Sequence, residues 1–129
     1  MTFDTEKYQS LLRDIFHKNF PEYDGELYKS ELQSIENVHY LQHESVEIEG
    51  IKIFGSPYQP SLYDCAFGRT EEELKHLWAD INEHMDILVT HCPPQGVMDE
   101  YKGTHTGCPV LLSKVNQLKP KYHVFGHNR

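Results

Sequence analysis

Residues 86–96 read DILVTHCPPQG, an apolar run that ends in a threonine and a histidine and is then cut short by two prolines and a glycine. The run predicts a strand of the buried type, and the PPQG break leaves His91 at its tip. Further along, Pro109 suits the first turn of a helix whose inner face is Leu111, Leu112, Val115 and Leu118, and Pro120 stops it. A second strand, YHVFG (residues 122–126), comes next and carries His127 at its end. Two consecutive strands joined by a helix are expected to be parallel neighbours, which makes the chain an α/β protein. Both histidines then fall at C-terminal strand ends, the edge where open α/β sheets assemble their sites.

Working outward, Thr70 followed by Glu73 forms a capping box, with Leu74, Leu77, Trp78 and Ile81 as the apolar stripe of the helix behind it. Asn37–Gln42 (NVHYLQ), Val46–Gly50 (VEIEG) and Ile51–Gly55 (IKIFG) are short and β-rich, and the last two turn near Gly50, so an antiparallel set is expected. Tyr8, Leu11, Leu12, Ile15 and Phe16 keep the spacing of an amphipathic helix, capped by Asp4, with a loop over residues 21–30 after it. Residues 55–70 (GSPYQPSLYDCAFGRT) have the turn residues and aromatics of a long ordered loop. Tyr58, Tyr63 and Phe67 in that loop either wall a nucleotide base pocket, as substrate-binding residues, or anchor the loop to the body.

Composition narrows the function classes. The 129 residues fit one domain, and 20 acidic against 12 basic side chains give a net charge of −8. No Lys/Arg run is present to track a phosphate backbone, so a nucleic-acid polymer is not an expected partner. No window approaches the roughly 18 apolar residues of a membrane span, so no membrane association is expected. Cys65, Cys92 and Cys108 are far apart in sequence and form no C-x-x-C pair, which suits reduced thiols in a cytoplasmic setting. His39 and His43, read on a strand, lie about 13 Å apart on one face and are expected to be surface histidines. His91 beside Cys92 has the residue types of a base and a nucleophile, but neighbouring strand residues face opposite sides and no orienting acid is evident. From spacing alone, His91 and His127 are either hydrogen-bonded loop histidines or two imidazoles sharing one divalent ion.

ILVTHCPPQG followed by GCPVLLSKVNQLKPKYHVFGH resembles the C-terminal half of the calcineurin-like metallophosphoesterases, in a small branch that includes brain metallophosphoesterase-domain proteins and relatives similar to cyclic-nucleotide phosphodiesterases. IKIFGSPYQP resembles the preceding strand and loop of that branch, and TFDTE near the start resembles the residues just after the family's Gly-Asn-His-Glu motif. The resemblance implies a β-sandwich flanked by helices around two divalent metals (Mn, Fe, Zn or Ni), with a metal-bound hydroxide attacking a phosphoric ester. It assigns His91 and His127 as ligands of one metal. Arg129 stands where the second histidine of the Gly-His-x-His motif is expected, and a guanidinium has no lone pair to offer.

The family's Asp-x-His, Gly-Asp and Gly-Asn-His strings occur nowhere in the sequence. The expectation is therefore a single partial phosphoesterase domain over residues 1–129, with the N-terminal half missing and at most one partial metal site. By resemblance the function is metal-dependent hydrolysis of a small phosphoric mono- or diester, a cyclic nucleotide among the candidates, with little or no activity in this chain alone. The alternative is a non-catalytic remnant or interaction domain that needs a partner for the missing half, and self-association through an exposed sheet edge is expected with it.

Overall fold

The computed structural model describes residues 11, 14, 15, 18, 24–61 and 66–126. The chain divides into two units, residues 1–40 and 41–129. In the first, helix α1 (Gly25–Ser34) starts at Asp24, whose Oδ1 accepts the Glu26 and Leu27 N–H groups at 3.1 and 3.2 Å. This corrects the loop expected over residues 21–30. The helix buries no residue, and its spaced apolar residues Leu27, Tyr28 and Leu32 are all exposed. Leu11 and Ile15 are helical, as the amphipathic spacing predicts. Tyr8, Leu12 and Phe16 lie outside the described residues.

The second unit is built on a four-stranded sheet of β1 (Glu44–Ile48), β2 (Ile51–Ser56), β5 (Ile87–Thr90) and β8 (Tyr122–Phe125), in that spatial order. Strands β1 and β2 are antiparallel with Ile48 opposite Ile51, and the turn between them has positive φ at both Glu49 (50°) and Gly50 (80°), as two-residue hairpins require. Strands β2, β5 and β8 are parallel, with Thr90 opposite both Ser56 and Phe125. The predicted crossover thus holds, and the fold is mixed α/β. NVHYLQ is not a strand: residues 38–41 are irregular, and positive φ at Asn37 and His43 (63° and 61°) breaks the extended path on either side.

Two helices cover one face of the sheet. Helix α2 (Glu71–Ala79) carries the predicted capping box, with Thr70 Oγ1 accepting the Glu73 N–H at 3.2 Å and Glu73 accepting the Thr70 N–H at 2.7 Å. Helix α3 (Pro109–Leu118) has its proline in the first turn and stops at Lys119 in the left-handed region (φ 49°). Phe54, Leu74, Trp78, Met85, Leu88, Cys92, Cys108 and Leu111 form the buried core, with Leu77, Ile81, Val115 and Leu118 packed against it. Lys114 is the unpredicted member of this layer, buried with its Nζ donating to the Ile81 carbonyl at 3.0 Å.

Between the strands of the main sheet, β3 (Gln59–Pro60) and β4 (Gly68–Arg69) pair in parallel, and β6 (Glu100–Tyr101) and β7 (Thr104–His105) form a small hairpin. Asp86 pins the opposite edge of the sheet from the histidines. Its Oδ2 accepts the Lys52 N–H at 2.9 Å, its carbonyl the Tyr122 N–H at 3.1 Å, and its Oδ1 lies 3.1 Å from Lys121 Nζ. The Lys52 N–H first, with Lys121, holds its carboxyl at about 2.

On the second face of the sheet Leu41 packs over Gly55, where an added Cβ would stand 2.7 Å from the Leu41 Cβ, and several apolar side chains beyond it are exposed. Side chains alternate along a strand, so Ile48, Ile51, Val89, Tyr122 and Val124 share the face opposite Leu88 and Thr90. Tyr122 and Val124 are 69% and 56% exposed. Among the described residues β8 pairs on one side only.

Candidate metal-site edge and its loop

Strand β5 delivers Thr90 and then His91 to the C-terminal edge of the sheet, where β8 delivers Phe125 and Gly126. The Gly126 N–H donates to the His91 carbonyl at 3.1 Å, which continues the strand pairing one step past the sheet. His91 is exposed at this edge. His127 is the residue after Gly126 and, with Arg129, lies outside the described residues.

Behind His91 runs a hydrogen-bonded chain that sequence reading missed. Buried Thr90 donates its hydroxyl proton to the Cys92 carbonyl at 2.8 Å, so the 2.8 Å contact with His123 Nε2 must be donated by the imidazole. This fixes the His123 tautomer and ties β8 to the turn at residues 90–92. Burial pushes the His123 pKa down, consistent with a neutral ring. A histidine at the second position of YHVFG, facing the same side as Thr90, was the available signal.

Residues 92–108 leave from His91 and return to α3. The Cys108 N–H donates to the Pro93 carbonyl at 3.0 Å and the Gln95 N–H to the Cys108 carbonyl at 3.1 Å, closing the base of the loop. Asp99, only 1% exposed, organises its interior: Oδ2 accepts the Gly96 and Gly107 N–H groups at 2.8 and 2.9 Å, and Oδ1 accepts from His105 Nδ1 at 2.7 Å. Burial pushes this carboxyl up, but the three donors outweigh it and hold it at about 2. Gly107 is required here, because a Cβ would stand 2.6 Å from the Pro94 carbonyl oxygen and 2.8 Å from Asp99 Oδ2. Cys92 and Cys108 are both free and buried. Donation of the Cys92 S–H to Cys108, with burial, pushes Cys92 up. The same bond, with the Leu111 N–H, draws Cys108 down. Cys65 lies outside the described residues.

Strand β2 ends at Ser56, opposite Thr90, and in the loop that follows it Tyr58 and Phe67 meet edge to face at 6.0 Å, with the Arg69 guanidinium 5.0 Å above the Tyr58 ring. Tyr58 also packs against the core cluster. Tyr63 lies outside the described residues.

His39 is exposed as expected, but His43 is not a surface residue. Its Nε2–H donates to the Leu77 carbonyl at 2.7 Å, satisfying a free carbonyl near the end of α2, and its Nδ1 lies 2.9 Å from Ser56 Oγ. The ring also stands edge-on to Phe54 and Trp78.

These environments set a pH profile for stability. Burial holds His43 and His123 below the ordinary histidine pKa, so the unfolded chain takes up those protons first and stability falls as pH drops below about 6.5. His105 is raised by its bond to Asp99, so its contribution is complete below about 6.5 and is lost as pH rises through its higher folded value. Urea midpoints are therefore expected to peak near neutrality. His43→Gln should flatten the acid limb and His105→Gln the alkaline limb, and identical profiles for the variants and the parent would refute the assignment.

No family model matches the chain. Metallophosphoesterase domain-containing protein 1 of Homo sapiens and of Mus musculus are each 37% identical to it over 134 residues, covering 98% of this chain and 41% of each relative. A UPF0046 protein of Caenorhabditis elegans is 37% identical over 91 residues, covering 70% of this chain and 31% of that protein. The chain belongs to the metallophosphoesterase family, as its C-terminal part. It spans about two fifths of the length of the two mammalian relatives and less of the nematode protein. A solved crystal structure superposes with a TM-score of 0.61 at 16% identity, covering 79% of this chain and 44% of that one, and supports the α/β fold alone.

Proposed function

We propose that this chain contributes one edge of the metal site of a metal-dependent phosphoric ester hydrolase, with His91 and His127 as ligands of a single divalent ion. The observation that carries the reading is the Gly126 N–H bonded to the His91 carbonyl at 3.1 Å, which brings the two strand ends that bear the histidines together. Among the described residues no group of three or more His, Cys, Asp or Glu side chains could hold an ion. Two imidazoles make a partial ligand set for one ion (Mn, Fe, Zn or Ni). A bound divalent ion would supply an acidified water and charge for the phosphoryl oxygens. The substrate class is a small phosphoric mono- or diester, with Tyr58, Tyr63 and Phe67 proposed to contact a cyclic nucleotide or similar ligand. Among the described residues no helix is long and apolar enough to cross a membrane.

Histidine-ring NMR with added Mn²⁺ tests the ligands directly. The His91 and His127 signals should broaden selectively at low Mn²⁺, and the His127 effect should weaken in His91→Ala. Broadening spread evenly over the acidic surface would overturn the reading. Hydrolysis of a chromogenic phosphodiester by the chain alone should stay near background with Mn²⁺. Robust turnover would overturn the partial-site assignment.

The exposed apolar side chains on the second face of the sheet favour a second reading, in which the chain is an interaction domain that self-associates or docks a polypeptide corresponding to the part of the relatives it does not span.

A further inference from the structure

The 92–108 loop holds a group that the metal reading leaves unused. His105 sits on β7 opposite Glu100, its Nδ1–H given to buried Asp99 Oδ1 at 2.7 Å, while its side chain remains 57% exposed. Nε2 makes no hydrogen bond among the described residues. Asp99 is ionised, so it can only accept, and Nδ1 carries a proton in both charge states of the ring. Protonation therefore places the second N–H of the ring on the outward nitrogen. A histidine oriented by a carboxylate with its other nitrogen open is the arrangement proteins use to present an imidazole to a ligand.

The support under this ring is rigid. Asp99 also accepts the Gly96 and Gly107 N–H groups, and its carbonyl accepts the Thr106 N–H at 3.0 Å and the Thr106 hydroxyl at 2.9 Å. These four bonds fasten the loop without His105. The hairpin turn between β6 and β7 has positive φ at Lys102 and Gly103 (50° and 78°), which fixes the approach of β7. The charged groups around the imidazole are Asp99 beneath it and Glu100 beside it, while Lys102 lies 5.2 Å over the Tyr101 ring in the same hairpin. The loop leaves the sheet at His91 and returns beside Pro93, so this hairpin hangs from the same C-terminal edge.

We infer that His105, oriented by Asp99, is an anion-binding residue that donates Nε2–H to a phosphoryl oxygen of a phosphoric ester. The inference rests on the phosphoesterase reading for its ligand class, and on the geometry of the loop for its residue. The competing role is purely structural, with His105 serving only to satisfy Asp99 Oδ1.

Histidine-ring NMR of the full chain, without metal, separates the two using inorganic phosphate against sodium chloride of equal ionic strength. The His105 signals should move saturably with phosphate and its titration midpoint should rise by about half a pH unit, since a nearby opposite charge favours the protonated ring. Exposed His76 on α2 should follow ionic strength alone. Loss of the saturable response in His105→Gln, read by the phosphorus resonance of phosphate, would complete the assignment. A His105 signal that tracks His76 in both salts overturns it. The Mn²⁺ experiment reports on His91 and His127 separately. A phosphate response without Mn²⁺ broadening keeps this anion site and removes the hydrolase, and broadening without a phosphate response does the reverse.

Discussion

Trp78→Ala is expected to lower the stability of the chain by about 3–5 kcal/mol, the cost of removing a large aromatic from a core that cannot refill the space. Trp78 is 2% exposed and touches the members that join the helical layer to the sheet: its ring lies 4.8 Å from His43 and 5.7 Å from Phe54. Removing it uncovers a histidine whose two nitrogens are committed to Leu77 and Ser56, so water gains access to polar contacts that burial now protects. Typical domains hold about 5–15 kcal/mol in total, so this single change removes a large fraction. Trp78 is the one tryptophan of the sequence, and the variant must be followed by circular dichroism in urea rather than by fluorescence. A midpoint within error of the parent's would show that the helical layer is not what holds the sheet.

The strands and helices that bury a periodic face were legible in the sequence. Thr70 and Glu73 announced α2, Pro109 announced α3, ILVT stood out as a strand because Leu88 had to reach the core, and YHVF stood out by its β-branched and aromatic composition although none of its residues is fully buried. Helix α1 was not legible, since its start depends on one capping aspartate and none of its residues is buried. NVHYLQ failed for the converse reason: its β-rich composition is overridden by backbone at Asn37 and His43 that no strand can follow.

The candidate site divides in the same way. That the ends of β5 and β8 meet was predictable from the crossover, because connection rules are topological. The roles of His43 and His123 were not, because their partners are brought near only by folding: His43 meets Leu77 from 34 residues away and Thr90 meets His123 from 33, while Asp99 and His105 are only six apart but meet through an irregular loop that has no periodicity to read. A lone histidine in a sequence does not show whether its nitrogens are spent.

The chain is expected to self-associate, and a double substitution of Val89→Lys with Val124→Lys is expected to make it monomeric. Val89 and Val124 are register partners on adjacent strands, beside Tyr122 and across the sheet from Ile48 and Ile51, so together these residues form an apolar surface instead of scattered exposed side chains. Covering several hundred Å² of such surface at about 25 cal/mol per Å² is worth on the order of 5–10 kcal/mol, comparable with the whole stability of a domain. An edge strand with unpaired backbone groups adds a template for pairing, and β8 pairs on one side only among the described residues. The two lysines sit on the exposed face and leave Leu88 and Thr90 undisturbed, so the variant should fold with the parent's circular dichroism spectrum. Sedimentation velocity over a wide concentration range should show growing species for the parent and one boundary for the variant. Adding a polypeptide that corresponds to the unmatched part of a mammalian relative should also suppress the growing species, by occupying the same face. A parent that sediments as a single monomer and melts cooperatively above about 60 °C would show that the face needs no cover.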